Sequence, residues 1–273
     1  MPVLSIIIVS HNARDDLARC LESLHTAPPG ESHEIVVVEN ASSDGSLDMT
    51  RRRWPGVRVI PLDRNVGFAA GSNVGIRATE GELLLLLNSD TVVPAGAVDH
   101  LTAALRADPN TAVVGPRILD EAGNPELSFG AMRGPWNDLL QHVRFPLGTS
   151  RRRVERLTSQ PAVVDWITGA CLLVRRSDAE AVNLLDERYF MYLEDVDFCA
   201  ALRARGGRIR FLPSVHVVHR RGRSAATNPA AALTAYRRSQ LVFYAKHYPG
   251  WLPWLRAYLR ARGKLPVPTA DTY

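Results

Sequence analysis

The stretch Leu83-Leu84-Leu85-Leu86-Leu87-Asn88-Ser89-Asp90 is the most informative part of this 273-residue sequence. Its leucine run is far shorter than the roughly 20 apolar residues that cross a bilayer, but long enough for a strand buried on both faces. Such a strand brings three polar residues abruptly to its carboxyl end. In open α/β sheets, ligands bind beyond the carboxyl ends of the strands. We therefore expect Asn88, Ser89 and Asp90 to lie in a binding cleft.

Apolar runs on either side of this stretch predict the rest of a sheet. Strands are predicted at Leu4–Val9, Glu34–Val38, Val57–Pro61 and Ala112–Gly115, and helices near Arg14–His25, Ser46–Arg53, Phe68–Thr79 and Ala95–Ala107. Strands rich in Ile, Val and Leu that alternate with helices are typical of a mostly parallel sheet covered on both faces. The predicted fold class is a doubly wound, Rossmann-like α/β fold.

The second half of the sequence is at first less regular. Residues 116–160 are punctuated by Gly and Pro and contain an arginine run, which predicts a long, mobile, irregular connection. Regular structure is predicted to resume with strands at Ala162–Ile167, Cys171–Val174, Ile209–Leu212 and Val215–Val218 and a helix at Glu194–Arg205.

Cysteine usage and the apolar runs indicate the compartment. The three cysteines, Cys20, Cys171 and Cys199, are far apart among apolar neighbours, which predicts buried, reduced thiols and a cytoplasmic protein. The N-terminus enters a strand without the basic region and cleavage site of a signal peptide. No apolar run is long enough for a membrane span, so none is expected.

Charge is distributed unevenly, although the net charge is only +5. Residues 201–265 contain fourteen Lys or Arg residues and no Asp or Glu, so this part is expected to seek an anionic partner. Within it, residues 236–248 and 251–260 interleave aromatic, apolar and basic side chains, which suits a helix lying in a membrane interface. A helix packed on the rest of the protein, with a solvated basic face, is an equal alternative.

Asp90 has two interpretations. Carboxylate and carbonyl oxygens suit Mg²⁺ or Mn²⁺, and such an ion bridges phosphate oxygens. However, Asp90, Thr91 and Pro94 are also ordinary residues for the start of a helix, so Asp90 could be a simple cap. The stretch alone does not decide between the two.

A second acidic feature is Glu194-Asp195-Val196-Asp197, at the start of a predicted helix and beside several aromatic residues. Glu194 and Asp197 share a helix face, while Asp195 points elsewhere. Acids at a helix N-terminus are favoured by the macrodipole, so capping worth up to about 1 kcal/mol is the simple alternative. Because capping needs one acid, three indicate a site.

His216 and His219 end a predicted strand and precede a basic run. Residues three apart in a strand face opposite ways, which disfavours the binding of one ion by both. One of them could supply a nitrogen ligand or contact a phosphate, although a lone histidine is more often structural.

The glycines between residues 67 and 75 recur every four residues, unlike the G-x-G-x-x-G fingerprint of dinucleotide binding. The spacing disfavours a Rossmann dehydrogenase and indicates close packing of a helix on its neighbours.

Five segments in this order resemble the family 2 glycosyltransferases with the GT-A fold, and within them the bacterial rhamnosyltransferase-like branch. The segments are Ser5–Asn12, Val38–Ser46, Asn65–Asn73, Leu87–Asp90 and Phe190–Cys199. The resemblance covers roughly residues 4–224. It implies a glycosyltransferase domain at 1–224, with a nucleotide-binding half (1–115) and an acceptor half (116–224), followed by a basic helical extension at 225–273.

The resemblance implies roles for individual residues. Asp195 falls at the position of the catalytic base, Asp90 would hold Mg²⁺ or Mn²⁺ on the diphosphate, and His219 falls near a histidine that contacts the metal or diphosphate. The implied nucleotide-sugar contacts are Ser10, His11, Glu39, Asp44, Asn65, Gly67, Asn88 and Ser89, and the implied acceptor or diphosphate contacts are Glu194, Arg220, Arg221 and Arg223.

Three residues depart from the family's pattern. His11 stands where a tyrosine is common, Glu39 where an aspartate is common, and Asn88 replaces the first acid of the D-x-D motif. Asn-x-Asp variants occur in this branch, so the departure at Asn88 is compatible with activity.

The predicted function is inverting transfer of a sugar from a nucleotide-sugar donor to an acceptor hydroxyl, on a glycan or a polyprenyl-diphosphate-linked acceptor. dTDP-rhamnose is favoured as donor by family likeness alone. The acceptor suggests cell-envelope glycan synthesis at the cytoplasmic leaflet, whose anionic lipids would attract the basic extension.

Three alternatives compete with this function. A sugar nucleotidyltransferase is disfavoured because Ser10-His11-Asn12-Ala13 lacks a glycine-rich phosphate loop. A nucleic-acid-binding protein is disfavoured because no recognised module accompanies the basic residues. A catalytically silent sugar-binding homologue stays open because of Asn88.

Overall fold

The computed structural model of the protein describes residues 2–137, 150–220 and 229–266. Its strands are β1 (Leu4–Ser10), β2 (His33–Glu39), β3 (Arg58–Pro61), β4 (Leu83–Asn88), β5 (Thr91–Val92), β6 (Thr111–Leu119), β7 (Pro125–Glu126), β8 (Phe129–Gly130), β9 (Ala162–Val164), β10 (Trp166–Ile167), β11 (Cys171–Arg175) and β12 (Arg208–His219). Its helices are α1 (Arg14–Thr26), α2 (Ser46–Arg53), α3 (Gly67–Arg77), α4 (Ala97–Arg106), α5 (Arg151–Leu157), α6 (Arg176–Ala181), α7 (Glu194–Ala204), α8 (Pro229–His247) and α9 (Leu252–Ala261).

The main sheet has the strand order β3-β2-β1-β4-β11-β6-β12-β5. Strands β1 to β4 pair in parallel, and β12 pairs in parallel with β6, while β11 lies antiparallel between β4 and β6. The mostly parallel α/β sheet expected from the sequence is therefore confirmed. The leucine strand β4 lies at its centre, between β1 and β11.

The leucine run is buried on both faces of the sheet. Leu83, Leu85 and Leu87 pack into one apolar cluster with helices α1 and α4. Leu84 and Leu86 pack into a second cluster with helices α3 and α7. All five leucines are at most 2% exposed, and full burial of each contributes about 1.5–3 kcal/mol.

Helix α3 packs closely on the sheet because Gly71 and Gly75 have no side chain toward it. An added Cβ at Gly71 would lie 2.9 Å from Val9 Cγ1, and one at Gly75 would lie 2.5 Å from Ile7 Cγ2. The packing role inferred from the four-residue glycine spacing is confirmed.

The connection predicted to be irregular over residues 116–160 contains regular elements, so that prediction was wrong for part of it. Strand β6 continues to Leu119 because its end pairs with β12, where Ile118 is aligned with Val217 and is fully buried. The short strands β7 and β8 follow, and the arginine run at Arg151 forms the start of helix α5. Residues 138–149 lie outside the described residues, and the expected mobility stays a prediction.

Strand β12 also differs from the prediction. The two predicted strands form one strand, Arg208–His219, with a shift of register between Leu212 and His216. Pro213 and Ser214, which separate the two predicted strands, lie within this irregularity.

The three cysteines are buried and unpaired, as expected. Burial raises the pKa of the Cys171 thiol and of the Cys199 thiol to about 12. Within the described ranges, no helix combines the length and the apolar character that crossing a bilayer requires.

Candidate active site

The turn after the central strand brings two distant parts of the chain together. The Oδ1 atom of Asp90 lies 2.9 Å from Nε2 of His219, the last residue of β12. The side-chain nitrogen of Asn88 lies 3.2 Å from the same ring atom. Pairing of β5 with β12 fixes this contact because Thr91 and His219 are aligned in register. The structure thus joins Asp90 and His219, which the resemblance had linked to one metal-bound diphosphate.

The capping interpretation of Asp90 does not hold. The next helix, α4, begins at Ala97 after Gly96 as its N-cap, and Asp90 is followed by strand β5 instead. The two histidines of β12 face opposite ways as predicted, since His216 is exposed and His219 is buried.

The chemistry of this pair fits a divalent cation that shares its coordination with a ligand. In the described part of the chain, no group of three or more His, Cys, Asp or Glu residues is arranged to hold a metal. Mg²⁺ is commonly held by only one or two carboxylates together with substrate phosphates. Asp90 and His219 supply one oxygen and one nitrogen, and Nδ1 of the histidine has no hydrogen-bond partner among the described residues.

The carboxylate of Asp195 stands at the second position of helix α7. Its Oδ2 accepts a hydrogen bond of 2.9 Å from the Gly169 backbone N–H, and its Oδ1 accepts one of 2.8 Å from Val196 N–H. The chain enters the helix through Tyr192 and Leu193, with φ of 73° and 66°. Left-handed backbone costs roughly 1–2 kcal/mol for a residue other than glycine, so the surrounding fold holds this entrance in place.

The neighbouring Glu194 has a different environment. Its side chain is only 6% exposed, and Oε2 has no hydrogen-bond partner among the described residues. Burial, together with the adjacent charge of Asp195, raises the pKa of Glu194 well above its ordinary value. Of these two neighbouring acids, Glu194 is therefore the one whose charged form is disfavoured by burial.

Asp197 anchors the C-terminal helix α8. Its carboxylate lies 2.8 Å from Lys246 Nζ and 2.6 Å from His247 Nε2, and Tyr189 donates a hydrogen bond of 3.3 Å to it. Lys246 also lies 2.9 Å from Asp186. The sequence pattern of α8 did not predict this anchor. The one indication was that the basic C-terminal region contains no Asp or Glu with which its cations could pair. Helix α8 thus follows the packed alternative inferred from the sequence.

A close contact joins the start of α3 to the segment before Asp195. Phe68 N–H donates a hydrogen bond of 2.8 Å to Phe190 O. Gly67 has φ of +85°, and an added Cβ would lie 2.2 Å from that same carbonyl oxygen. The requirement for glycine at this position is therefore both conformational and steric.

Asn65, predicted to bind the donor, is held by the buried Asn40, for which the sequence predicted no role. Asn40 donates a hydrogen bond of 2.8 Å to Asn65 Oδ1 and accepts one of 2.8 Å from Val66 N–H. Asn65 Oδ1 also accepts a bond of 2.9 Å from Gly67 N–H. Asn40 follows the second strand directly, at the carboxyl edge of the sheet where ligands bind in open α/β folds.

The predicted nucleoside contacts lie at the ends of β1 and β2. Ser10 and Glu39 are aligned in register, both are buried, and Ser10 Oγ and Glu39 Oε2 lack a partner among the described residues. Such polar atoms are costly to bury unpaired, which favours a ligand that hydrogen-bonds to them. His11 Nδ1 lies 2.8 Å from Asn40 O.

Asp44 already has structural partners. It accepts hydrogen bonds of 2.8 Å from Arg14 N–H and 2.6 Å from Ser46 Oγ, so it links the starts of α1 and α2. Burial raises the pKa of Asp44, but these hydrogen bonds outweigh burial and the pKa is lowered. A nucleoside contact by Asp44 stays a prediction.

Arg220 is engaged in ion pairs. Its guanidinium lies 2.6 Å from Asp16 and also binds Glu121, and its backbone N–H donates to Asp90 O at 2.9 Å. The structure therefore shows a supporting contact to the Asp90 turn, and a diphosphate contact by this residue stays a prediction. Arg221 and Arg223 lie outside the described residues.

Comparison with solved structures shows a fold of the GT-A type. Among solved structures, the chain is similar to GalNAc-T7 with UDP, GalNAc and Mn²⁺ (TM-score 0.64, 19% identity, 99% of this chain and 52% of that one). It is also similar to the mannosyltransferase PcManGT of Pyrobaculum calidifontis with GDP-Man and Mn²⁺ (TM-score 0.63, 18% identity, 94% and 69%). The chain thus spans about half the length of the first of these structures.

Sequence comparison places the chain within a family. The model of glycosyl transferase family 2 matches residues 5–180, and the chain belongs to this family. The chain is 32% identical to the N-acetylglucosaminyl-diphospho-decaprenol L-rhamnosyltransferase of Mycobacterium tuberculosis, over 97% of this chain and 93% of the relative. It is 29% identical to the rhamnosyltransferase WbbL of Escherichia coli, over 78% and 82%.

Proposed function

We propose that the protein transfers L-rhamnose from a nucleotide-diphosphate donor to a hydroxyl of a polyprenyl-diphosphate-linked glycan, in cell-envelope glycan synthesis. The observation that carries this proposal is the contact between Asp90 and His219 at the carboxyl edge of the sheet. The choice of sugar and acceptor is supported by the mycobacterial relative, whose name specifies L-rhamnose and a decaprenol-linked diphosphate.

In the proposed reaction, an acceptor oxygen attacks the anomeric carbon from the face opposite the nucleotide. The new C–O bond forms as the bond to the diphosphate breaks, and the electron pair leaves with the nucleoside diphosphate. Asp195 accepts the proton of the acceptor hydroxyl, a general-base role worth about 10²–10⁴ in rate. The configuration of the anomeric carbon is inverted.

The chain's own residues prepare Asp195 for this role. The Gly169 N–H fixes one oxygen of the carboxylate, and the left-handed entrance at Tyr192 and Leu193 fixes the start of its helix. The raised pKa of the buried Glu194 disfavours a second negative charge beside Asp195.

Asp90 and His219 are the residues that would hold Mg²⁺ or Mn²⁺. A bound cation of this kind supplies Lewis-acid stabilisation of negative charge on a departing diphosphate. Because residue 88 is an asparagine, Asp90 supplies the one carboxylate of this turn. The Asn88 amide contacts the His219 ring. The structures of GalNAc-T7 and PcManGT, both solved with Mn²⁺, support the proposal of a divalent ion.

Donor binding tests the proposal before any acceptor is at hand. Ligands that bind the folded state raise its apparent stability. We expect dTDP-rhamnose, with Mn²⁺ or Mg²⁺, to raise the melting temperature more than UDP-GlcNAc or GDP-mannose do. No stabilisation by any nucleotide sugar, with or without a divalent ion, would contradict the proposal.

A further inference from the structure

Four exposed aromatic side chains lie at the C-terminal end of the described chain and beside it. Trp136, Trp251, Trp254 and Tyr258 are 66%, 42%, 71% and 51% exposed. Trp136 comes from a distant part of the sequence, yet its ring lies edge-on to Trp251 with 5.7 Å between the centroids. We call these four residues the aromatic patch.

Helix α9 does not need the aromatic patch to pack on the protein. Its inner face consists of Leu252, Leu255 and Leu259, of which Leu259 is fully buried and the other two pack against an apolar cluster. Trp254 and Tyr258 are four residues apart and therefore share a different face. Exposed aromatic rings with apolar and polar parts are typical of an interface between water and an apolar phase.

The surroundings of the patch are basic. Arg256, Arg260, Arg262 and Lys264 are exposed, and residues 229–266 contain no Asp or Glu. A second copy of this chain docked on the patch would bring the same cations together and be repelled. An anionic lipid surface offers both an apolar layer for the rings and negative charge for the cations.

We propose that the aromatic patch and these four cations bind the anionic surface of a phospholipid bilayer, with α9 lying in the interface. The proposal deepens the proposed function, on which it rests, by assigning the surface that would meet a lipid-linked acceptor. One apolar cluster connects this surface to the active site, because Leu252 and Leu255 pack in it together with Leu193 and Val196. These last two residues flank Glu194 and Asp195 in sequence.

Flotation of the full chain with vesicles tests the proposal. We expect binding to vesicles of phosphatidylcholine with phosphatidylglycerol, and much weaker binding to phosphatidylcholine alone. Since each Lys or Arg near an anionic surface contributes about fivefold, R256Q/R260Q should lower the partition coefficient about 25-fold. The control R51Q/R52Q removes the same charge from exposed positions of α2 and should leave binding unchanged.

The aromatic residues are tested in the same way. W254A/Y258A should lower the partition coefficient at least about tenfold, because two rings leave the apolar layer. The control V163A/L233A removes two exposed apolar side chains outside the patch and should have no effect. Equal loss in control and patch variants would overturn the proposal, as would equal binding to neutral vesicles.

Two further outcomes are separable. The wild-type protein could instead form a dimer in sedimentation, fail to bind vesicles, and become a monomer in W254A/Y258A. That result would assign the patch to contact with a second copy and overturn the lipid proposal. Donor-induced stabilisation is measured without lipid, so failure to float alongside normal donor binding would overturn this inference and leave the proposed function standing.

Discussion

Asp90 and His219 lie side by side, with 2.9 Å between Oδ1 and Nε2, although one follows the central strand and the other ends β12, the last strand along the chain. The contact places an acid from the first half of the chain beside a histidine from the second half. A ligand that binds to both side chains therefore contacts both halves of the chain. The pairing of β5 with β12 holds the two residues together without the ligand.

His219→Gln tests the proposed cation site. We expect the Mn²⁺ concentration needed for donor-induced stabilisation to rise by about 10-fold or more, because one of two protein ligands is lost. The matched control is His216→Gln, on the exposed face of the same strand. Equal Mn²⁺ dependence in the two variants would exclude His219 from the cation site.

Gly67→Ala tests the joint between α3 and the segment before Asp195. The added methyl must displace Phe190 O, and it also strains a left-handed backbone, so we expect a loss of stability of about 2–4 kcal/mol and a lower kcat. Gly206→Ala is the control, since Gly206 has a similar φ of +91° but open space around it. Its cost should stay near the roughly 1–2 kcal/mol of left-handed backbone alone. Urea unfolding of both variants measures the difference, and equal costs would argue against a steric requirement at Gly67.

Lys246→Met tests the anchor of helix α8. Asp197 would lose a cation while remaining buried, so we expect the free energy of unfolding to fall by about 1–3 kcal/mol. Lys264→Met, at an exposed position, should change stability by less than about 0.5 kcal/mol. Thermal or urea unfolding gives both values. An unchanged stability of the Lys246 variant would mean that His247 and Tyr189 suffice for Asp197.

Acid should weaken this region through Asp186. Hydrogen bonds from Arg188, and then from Lys246, lower the pKa of Asp186 far below its ordinary value of 3.8 despite partial burial. A folded-state pKa below the unfolded value contributes stability above the unfolded pKa, and that stability is lost as the pH falls below about 4. We expect Asp186→Asn to flatten the decline in unfolding free energy between pH 5 and pH 2. A decline of wild-type steepness in the variant would contradict this cause.

Most of the sheet could be predicted from the sequence because the strands are apolar on both faces and alternate with helices. The leucine strand and the polar turn at Asn88 lie where the pattern predicted them, since burial and the carboxyl-edge rule depend on local residues. The anchor of Asp197 on Lys246 and His247 could not be predicted in this way. It joins residues far apart in sequence, and neither helix periodicity nor composition specifies such a pair.

The same limit applies within the site. Asn40 lies within the segment Val38–Ser46, but its bonds to Asn65 and Val66 depend on how two loops meet. The steric requirement at Gly67 arises from the Phe190 carbonyl of a distant segment, which glycine spacing does not reveal. The Gly and Pro residues of 116–160 predict irregular structure because they are local signals, whereas pairing with the distant strand β12 extends strand β6.

The most direct test of the central claim is the transfer reaction itself. Wild-type protein, the variant Asp195→Asn and the control Asp48→Asn, at an exposed position of α2, are incubated with dTDP-rhamnose, Mn²⁺ and a synthetic prenyl-diphosphate-linked N-acetylglucosamine. Product is quantified and its anomeric configuration determined by NMR. We predict one product of inverted configuration from wild type and control, with turnover lowered at least about 10²-fold in Asp195→Asn while donor binding persists. A retained configuration, or wild-type turnover in the Asp195 variant, would contradict the claim.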